Sequence, residues 1–479
     1  MTGTDFLALT PLIMLAASSV LIMLLIAMRL NHRLIQLLSV LLFAFAFFSL
    51  FFIRDIAPYS IAPLFIVDGF ALFIIGLIIF SSLVINILSY IYFEEKEESP
   101  KEYYVLLFLA TLGACTLACS SHFISFFLGL EILSVGLYAL IAYLRARHHP
   151  VEAGMKYLVL AAFSSAFLLF GMALIYLRTG SMEFREIARA MNSIQVIPRL
   201  IITGLGMMLV GIGFKLALVP FHMWAADVYE GAPAPITAFI ATASKGGVFS
   251  VLLRFFSEIN GVNNNIILLV MLLVAIASMV IGNLLALRQQ NVKRILAYSS
   301  IAHLGYLLVA FIPATTFGTQ AVTFYLLTYF LSSLAAFGVI TLLSKKEGDA
   351  ELVDDYRGLF WRKPLLAFIF TTSLLSLAGI PLTVGFLGKF YILAAGLRSG
   401  FWVTCIVLVL SSVVGLYYYL RIITAMFSAE RLETSEEKKA HPAFYLASSV
   451  TLSILTFFII WLGVTPSALI GFISEMINR

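Results

Sequence analysis

"GFKLALVPFHMW", residues 213–224, sets Lys215 inside an apolar run five residues ahead of Pro220. "GIPLTVGFLGKF", residues 379–390, holds the same parts in the opposite order, Pro381 first and Lys389 after it. A proline inside a helix removes a backbone hydrogen bond and breaks the helix. A break at membrane depth is tolerated only where it lines protein or water, and such breaks mark ion pathways. If both stretches lie within a membrane, each places a charge beside a discontinuous helix, and the fold follows from that pairing.

The rest of the chain supports the condition. It has 479 residues, 62% hydrophobic and 11% charged, where a soluble domain is roughly a quarter charged. The mean hydropathy is +1.04. Forty-two phenylalanines and 31 glycines suit bilayer helices, which need apolar bulk outside and tolerate glycine. The class is an all-α membrane protein. No cleavable signal peptide is expected, because "MTGTD" ahead of the first apolar run has no basic stretch. The net charge of +5 is spread over loops, which excludes a nucleic-acid patch. Cys115, Cys119 and Cys405 lie in apolar runs without ligand partners at metal spacing, so they read as packing residues and no metal site is expected. No phosphate loop, haem or iron–sulfur ligand set, or catalytic triad is visible, so no cofactor is expected in this chain.

Fourteen apolar runs are long enough to cross a bilayer: 6–28, 34–53, 70–92, 103–120, 122–143, 155–177, 200–223, 235–256, 264–287, 294–312, 318–343, 365–396, 401–426 and 443–470. With the N-terminus outside, 19 Lys and Arg fall in inner loops and 8 on the outer side. The positive-inside rule therefore puts both termini outside. "SMEFREIARAMNSIQ", residues 181–195, reads as a short amphipathic helix in the interface. The charged connections "EEKEESPKE", "SKKEGDAELVDDYRG" and "AERLETSEEKKAHP" read as solvated loops.

Three lysines remain inside apolar runs, Lys215, Lys245 and Lys389, and among the acidic residues only Glu131 is deeply internal. A charge at mid-bilayer costs at least about 3 kcal/mol. One carboxylate cannot neutralise three lysines, so static pairing does not account for the set. Burial disfavours an ammonium and a nearby carboxylate favours it. Separating a buried Glu131–Lys215 pair would therefore move a proton, with Lys245 as the next relay and Lys389 as the terminal group.

The seventh and twelfth runs cross in opposite directions, so the swapped order places both lysines on the same membrane side of their breaks. Two broken spans five apart predict two inverted five-helix repeats. The expected division is 1–102 (three helices), 103–256 (first repeat), 257–426 (second repeat) and 427–479 (a last helix). Polar side chains gather in the same spans: Thr237, Thr242 and Ser244; Ser299, Ser300 and His303; Thr328, Ser332 and Ser333; Thr371, Thr372, Ser373 and Ser376. Singly, each reads as back-bonding to its own helix; together they suggest a hydrated track. His303 reads equally as a proton relay and as a hydrogen-bonding packing residue. His222 reads as a partner for backbone groups freed by the break. Asp227 and Glu230 read as capping residues, with proton uptake as the alternative.

Residues 213–249, "NVKRILAYSSIAHLGYLLVA" (291–310), "YRGLFWRKPLLAF" (356–368), "SLAGIPLTVGFLGKFYILA" (376–394) and "GLYYYLRI" (415–422) closely resemble the antiporter-like membrane subunits of bacterial NADH:quinone oxidoreductase, respiratory complex I, in particular their subunit N branch. The likeness runs nearly end to end. It implies fourteen helices, two inverted repeats and two discontinuous helices, and it puts the family's functional charges on Glu131, Lys215, Lys245 and Lys389. The related subunit M usually has a glutamate at the position of Lys389, and subunit L carries a long lateral helix after its last span. The implied function is proton pumping driven by NADH oxidation and quinone reduction in other subunits, which would hold FMN, iron–sulfur clusters and quinone. Subunits M and K would be the neighbours. The implied location is the bacterial inner membrane, with both termini periplasmic. The competing expectation is a subunit of a multi-component Na⁺/H⁺ antiporter, and a third is a scaffold that carries no protons.

Overall fold

The structure, a computed structural model, describes residues 2–96, 100–193, 198–259, 265–428 and 442–478. The expected loop 429–441, with Arg431, Lys438 and Lys439, lies outside the described residues, as do residues 97–99 of "EEKEESPKE", Ile194 and Gln195 of the interfacial stretch, and Arg479.

The chain opens with α1 (Gly3–Ala8), α2 (Thr10–Ala27) and α3 (His32–Ile53), then a two-stranded hairpin, β1 (Tyr59–Ile61) and β2 (Phe65–Val67), then α4 (Gly69–Lys96). Next come α5 (Glu102–Cys119), α6 (Phe123–Ile141), α7 (His148–Thr179), α8 (Phe184–Asn192), α9 (Arg199–Leu216), α10 (Met223–Gly231), α11 (Ala234–Phe239), a π-helical turn (Ile240–Ser244) and α12 (Lys245–Glu258). The remainder is α13 (Asn265–Leu287), α14 (Val292–Phe311), α15 (Thr316–Leu343), α16 (Leu359–Arg362), α17 (Pro364–Ala378), α18 (Val384–Arg398), α19 (Trp402–Phe427), α20 (Pro442–Val464) and α21 (Ser467–Asn478). Among the described residues, thirteen helical stretches are long and apolar enough to cross a membrane. The expected twelfth run is the pair α17 and α18, each 15 residues and too short to span singly.

Two groups of five pack in the same order. In the first, α5 lies on α6, α6 on α7, α7 on α9, and α12 returns to α5. In the second, α13 lies on α14, α14 on α15, α15 on both α17 and α18, and α19 returns to α13. The stretch 234–258 is buried over its whole hydrophobic window and touches both groups through α5 and α15, so it forms the axis of the molecule. The outer helices α2, α3, α7, α13, α19 and α20 are the least buried and leave apolar side chains such as Phe48, Phe163, Leu273 and Val413 exposed on the outside of the bundle. Close helix contact is set by small residues. A Cβ on Gly113 of α5 would stand 2.3 Å from the backbone nitrogen of Leu133 on α6.

Ties between loops fix which ends lie together. Tyr59 bonds Thr4 (2.9 Å) and Asp5 (2.8 Å), and Arg54 pairs with Glu475 (3.3 Å), so both termini meet the loop 54–68 at one end of the bundle. Arg254–Asp68 and Arg185–Glu258 lie at that same end. Arg147 donates to the carbonyls of Lys346 and Glu347, and Lys96 and Lys293 meet Asp349, at the opposite end. Both termini thus lie at one end of the bundle, and the loops that carry Arg147 and Asp349 at the other.

Several expectations need correction. The first run is divided at Leu9, ahead of Thr10 and Pro11, into α1 and α2. The last run stops at Val464; Pro466 follows, and a separate helix, α21, folds back onto α4 and α15. The hairpin was not anticipated; its strands are only three residues each, too short for periodicity to reveal. The loop "SKKEGDAELVDDYRG" is not wholly solvated: the Asp349 side chain is 6% exposed and takes hydrogen bonds from Lys96, Lys293 and Tyr92. Burial alone would push the Asp349 carboxyl up, but the two ammonium charges outweigh it and hold the group well below the usual carboxylate range. Glu131, expected to be deeply internal, is only half-buried, and Asp349 is the more buried carboxylate. The expected interfacial helix is α8, with Phe184, Ile187 and Met191 buried and Arg185 and Arg189 outward.

Candidate functional site: a row of buried lysines

Both broken spans begin with the same closure. After α9, the N–H of Leu218 bonds the carbonyl of Gly213 (2.8 Å) and Ala217 takes a left-handed φ of 57°. After α17, the N–H of Ile380 bonds the carbonyl of Leu375 (3.0 Å) and Gly379 has φ 84°. Each is a six-to-one helix stop. The breaks therefore start before the prolines. Pro220 and Pro381 sit inside them and prevent the helix from resuming. Hydroxyls satisfy freed backbone groups: Val219 N–H donates to Ser278 Oγ (3.0 Å), and Gly385 N–H donates to Ser376 Oγ (3.2 Å).

The mirrored lysine order resolves here. Lys215 lies in the last turn of α9. Lys389 lies on α18, but its Nζ reaches back to the carbonyl of Ala378 (2.7 Å), the last residue of α17. Lys215 is thus carried in the last turn of the leading half-helix, and the Lys389 ammonium is drawn to the corresponding end of its own, where the helix dipole is negative.

Each lysine is held by a serine. Lys215 Nζ donates to Ser134 Oγ at 2.6 Å, Lys245 Nζ to Ser300 Oγ at 2.7 Å, and Lys389 Nζ to Ser412 Oγ at 2.8 Å. A tyrosine ring stands near each amine: Tyr157 at 5.4 Å, Tyr229 at 5.6 Å and Tyr306 at 5.2 Å. The three lysines are 4%, 1% and 9% exposed. Among the described residues no carboxylate lies within ion-pair distance of any of them. A serine hydroxyl can accept from an ammonium and donate to a neutral amine, so it serves both protonation states. A carboxylate would lock the charged one.

Glu131 and Lys215 are neighbours without direct contact. Glu131 Oε1 accepts from Ser165 Oγ at 2.7 Å. Ser134, the partner of Lys215, follows Glu131 by one turn of α6, and the carboxylate's field reaches the amine. The π-helical turn ends at Ser244, directly before Lys245. Such turns recur at functional sites. His303 lies on α14 one turn beyond Ser300. Its Nδ1 meets Tyr325 OH (2.6 Å), its Nε2 meets Tyr419 OH (3.3 Å), and Tyr419 also bonds Ser299. Ser300, the partner of Lys245, precedes His303 by one turn, and Tyr306, whose ring lies 5.2 Å from the Lys389 amine, follows three residues later with its ring 5.5 Å from the imidazole, so His303 stands between the two lysines.

Other expectations fare differently. His222 is buried beside the break and interacts with the backbone of Pro220, as expected, though among the described residues neither ring nitrogen makes a well-formed hydrogen bond. Asp227 and Glu230 are not caps. They bind Arg294 at 2.9 and 2.6 Å, and Asp227 also binds Lys156 at 3.1 Å. Thr242, Thr328 and Ser373 back-bond to their own helices, and Ser332 bridges to Ser376 at 2.8 Å. Cys115, Cys119 and Cys405 are buried packing residues with free thiols. Sequence reasoning missed Ser134, Ser165 and Ser412, and the tyrosines around the lysines. Small hydroxyls scattered through apolar runs carry no pattern, and tyrosine is easily taken for lipid-facing bulk.

Residues 120–415 match a protein family described as "NADH:quinone oxidoreductase/Mrp antiporter, TM". The chain is 47% identical to the NADH-quinone oxidoreductase subunit N of Nitrosospira multiformis, over 98% of this chain and 95% of that protein. A chain of respiratory complex I from Thermus thermophilus with bound aureothin superposes with a TM-score of 0.82 at 33% identity, covering 96% of this chain and 98% of that one. A chain of the archaeal membrane-bound sulfane sulfur reductase gives 0.84 at 26% identity, covering 99% and 97%. A chain of the Mrp complex from Dietzia sp. gives 0.86 at 22% identity, covering 100% and 97%, a likeness of fold.

Proposed function

Because the chain belongs to the NADH:quinone oxidoreductase/Mrp antiporter family of membrane subunits, we propose that it is a proton-translocating subunit of an NADH:quinone oxidoreductase membrane arm. The observation that carries this reading is the row of three nearly fully buried lysines, each bonded to a serine and none paired with a carboxylate among the described residues. A proton moves along Lys215, Lys245 and Lys389, with His303 between the last two. Glu131 supplies the variable charge: its approach favours the charged form of Lys215 and its withdrawal the neutral form. Electron transfer runs on FMN, iron–sulfur clusters and quinone in partner subunits; this chain contributes no redox group. Its membrane neighbours are subunits M and K. It lies in a bacterial inner membrane with the termini on the periplasmic side, and its four parts are 1–102, 103–256, 257–426 and 427–479.

Protons rather than sodium are the cargo. A sodium ion needs a cage of oxygen donors, and three ammonium groups at the centre of the bundle repel it. The test is the H⁺ per electron ratio in membrane vesicles carrying Lys215→Ala, Lys245→Ala or Lys389→Ala. Fully assembled variants should oxidise NADH with a lowered ratio. An unchanged ratio in all three would reduce the chain to a scaffold.

A further inference from the structure

Away from the lysine row, a second set of charges is buried where the loop 344–358 folds over the start of α14. Its centre is Asp349. Oδ1 accepts from Lys96 (2.6 Å) and Tyr92 (2.7 Å), and Oδ2 accepts from Lys293 (2.8 Å). The Lys96 and Lys293 side chains are each 1% exposed. The two lysines use their protons differently. Lys293 donates to the carbonyls of Glu230 and Ala232, both at 2.7 Å. Those are the carbonyls at the carboxyl end of α10, the trailing half of the first broken span. Lys293 therefore has three hydrogen-bond acceptors, Asp349 and two helix-end carbonyls, with the Glu351 carboxylate at 3.7 Å, and it fastens α10 to α14. Lys96 makes no bond to α10.

What α10 carries gives this fastening a consequence. Tyr229 is its last buried residue. The Tyr229 ring lies 5.6 Å from the Lys245 amine, and its hydroxyl is 3.4 Å from Ser300 Oγ, the oxygen that holds Lys245. Ser300 lies seven residues after Lys293, two turns along the same face of α14. Arg294 also ties α10 to α14 through Asp227 and Glu230, but those pairs are half-exposed; Lys293 is the buried tie at the carboxyl end of α10, between the two helices that enclose the central amine.

We propose that Lys293, oriented by Asp349, is a positioning residue for proton transfer at Lys245: it holds the end of α10 against α14 and so keeps Tyr229 and Ser300 around the amine. The proposal rests on the proton-translocation reading. It yields a contrast that a general stabilising role does not. Lys96→Met and Lys293→Met each remove one buried ammonium from the same carboxylate, at equal burial and equal change of charge. Only the second removes the two bonds to the carboxyl end of α10.

The experiment measures assembled complex, NADH oxidation and H⁺ per electron in vesicles from the intact complex. Lys96→Met is expected to keep the wild-type ratio and Lys293→Met to lose part of it. Equal ratios in the two variants, or a wild-type ratio in Lys293→Met, would overturn the proposal. Should Lys293→Met fail to assemble, Lys293→Arg keeps the charge while its rigid fork cannot serve both carbonyls and the carboxylate. It should assemble with a lowered ratio, and a wild-type ratio there would also overturn the proposal. Lys245→Ala separates the two levels. If that variant pumps normally, the translocation reading itself fails. If it does not, and Lys293→Met does, only the positioning role fails.

Discussion

Replacing Gly379 by alanine should displace Lys389 while leaving the fold in place. Gly379 sits at φ 84°, where an alanine costs about 1–2 kcal/mol. Its Cβ would stand 2.8 Å from Lys389 Cδ and 3.2 Å from Nζ. Those atoms are the free end of a flexible side chain, so the lysine yields and the backbone does not. Moving it breaks the bonds to Ala378 O (2.7 Å) and Ser412 Oγ (2.8 Å). A charge-assisted hydrogen bond is worth about 1.5–3 kcal/mol, which shifts the resting position of the amine by roughly ten- to a hundredfold. Gly379→Asn is the control, because asparagine tolerates a left-handed backbone yet brings the same Cβ. The assay is dye-reported proton uptake against NADH oxidation in vesicles with matched amounts of assembled complex. Both variants should show a lowered H⁺ per electron ratio. If the alanine variant is impaired and the asparagine variant is normal, backbone strain alone is responsible and the Lys389 argument is refuted.

Three further outcomes follow from the same structure. Gly113→Ala puts a Cβ 2.3 Å from backbone on α6, which cannot yield as a side chain does; a loss of about 1–3 kcal/mol should appear as less assembled complex on native gels and a lower melting temperature. Ser300→Ala removes the partner of Lys245 and should slow pumping, while Ser300→Thr, which keeps the hydroxyl, should restore it; equal rates in the two would contradict the proposed role. Burial alone would raise the Asp68 carboxyl, but the Arg254 charge and its hydrogen bonds at 2.7 and 2.9 Å hold it below its ordinary value. A depressed carboxyl contributes stability above its unfolded pKa of about 4, and that contribution is lost as pH falls through the folded value. Asp68→Asn should therefore lower the melting temperature at pH 7, and the gap from wild type should close as pH falls below about 4; a gap that persists there would point to lost packing instead.

The membrane fold was legible because bilayer physics leaves few options. Long apolar runs become helices, and lysine beside proline marks the broken ones. The details that failed depend on tertiary contact. Ala217 adopts a left-handed stop although nothing in "KLALVP" favours one; the tertiary setting imposes it. The π-helical turn falls in "IATAS", five residues with no distinctive pattern. Asp349 sits in a loop rich in charge, and only the folding of that loop over α14 buries it. In the candidate site, the four internal charges stood out because a lone ionisable residue in an apolar run is rare and expensive. The serines that hold the lysines did not, since a hydroxyl can always bond its own helix. The reversed order of Lys389 and Pro381 could be resolved only by seeing the side chain turn back to Ala378.

The most direct test of the account is whether the buried amines change protonation during turnover. Infrared difference spectra of the working complex, with ¹⁵N-lysine incorporated, report this through isotope-sensitive N–H deformation bands. The account predicts such bands on NADH addition, diminished in Lys245→Met. Normal proton release with no isotope-sensitive lysine band in any state would contradict it.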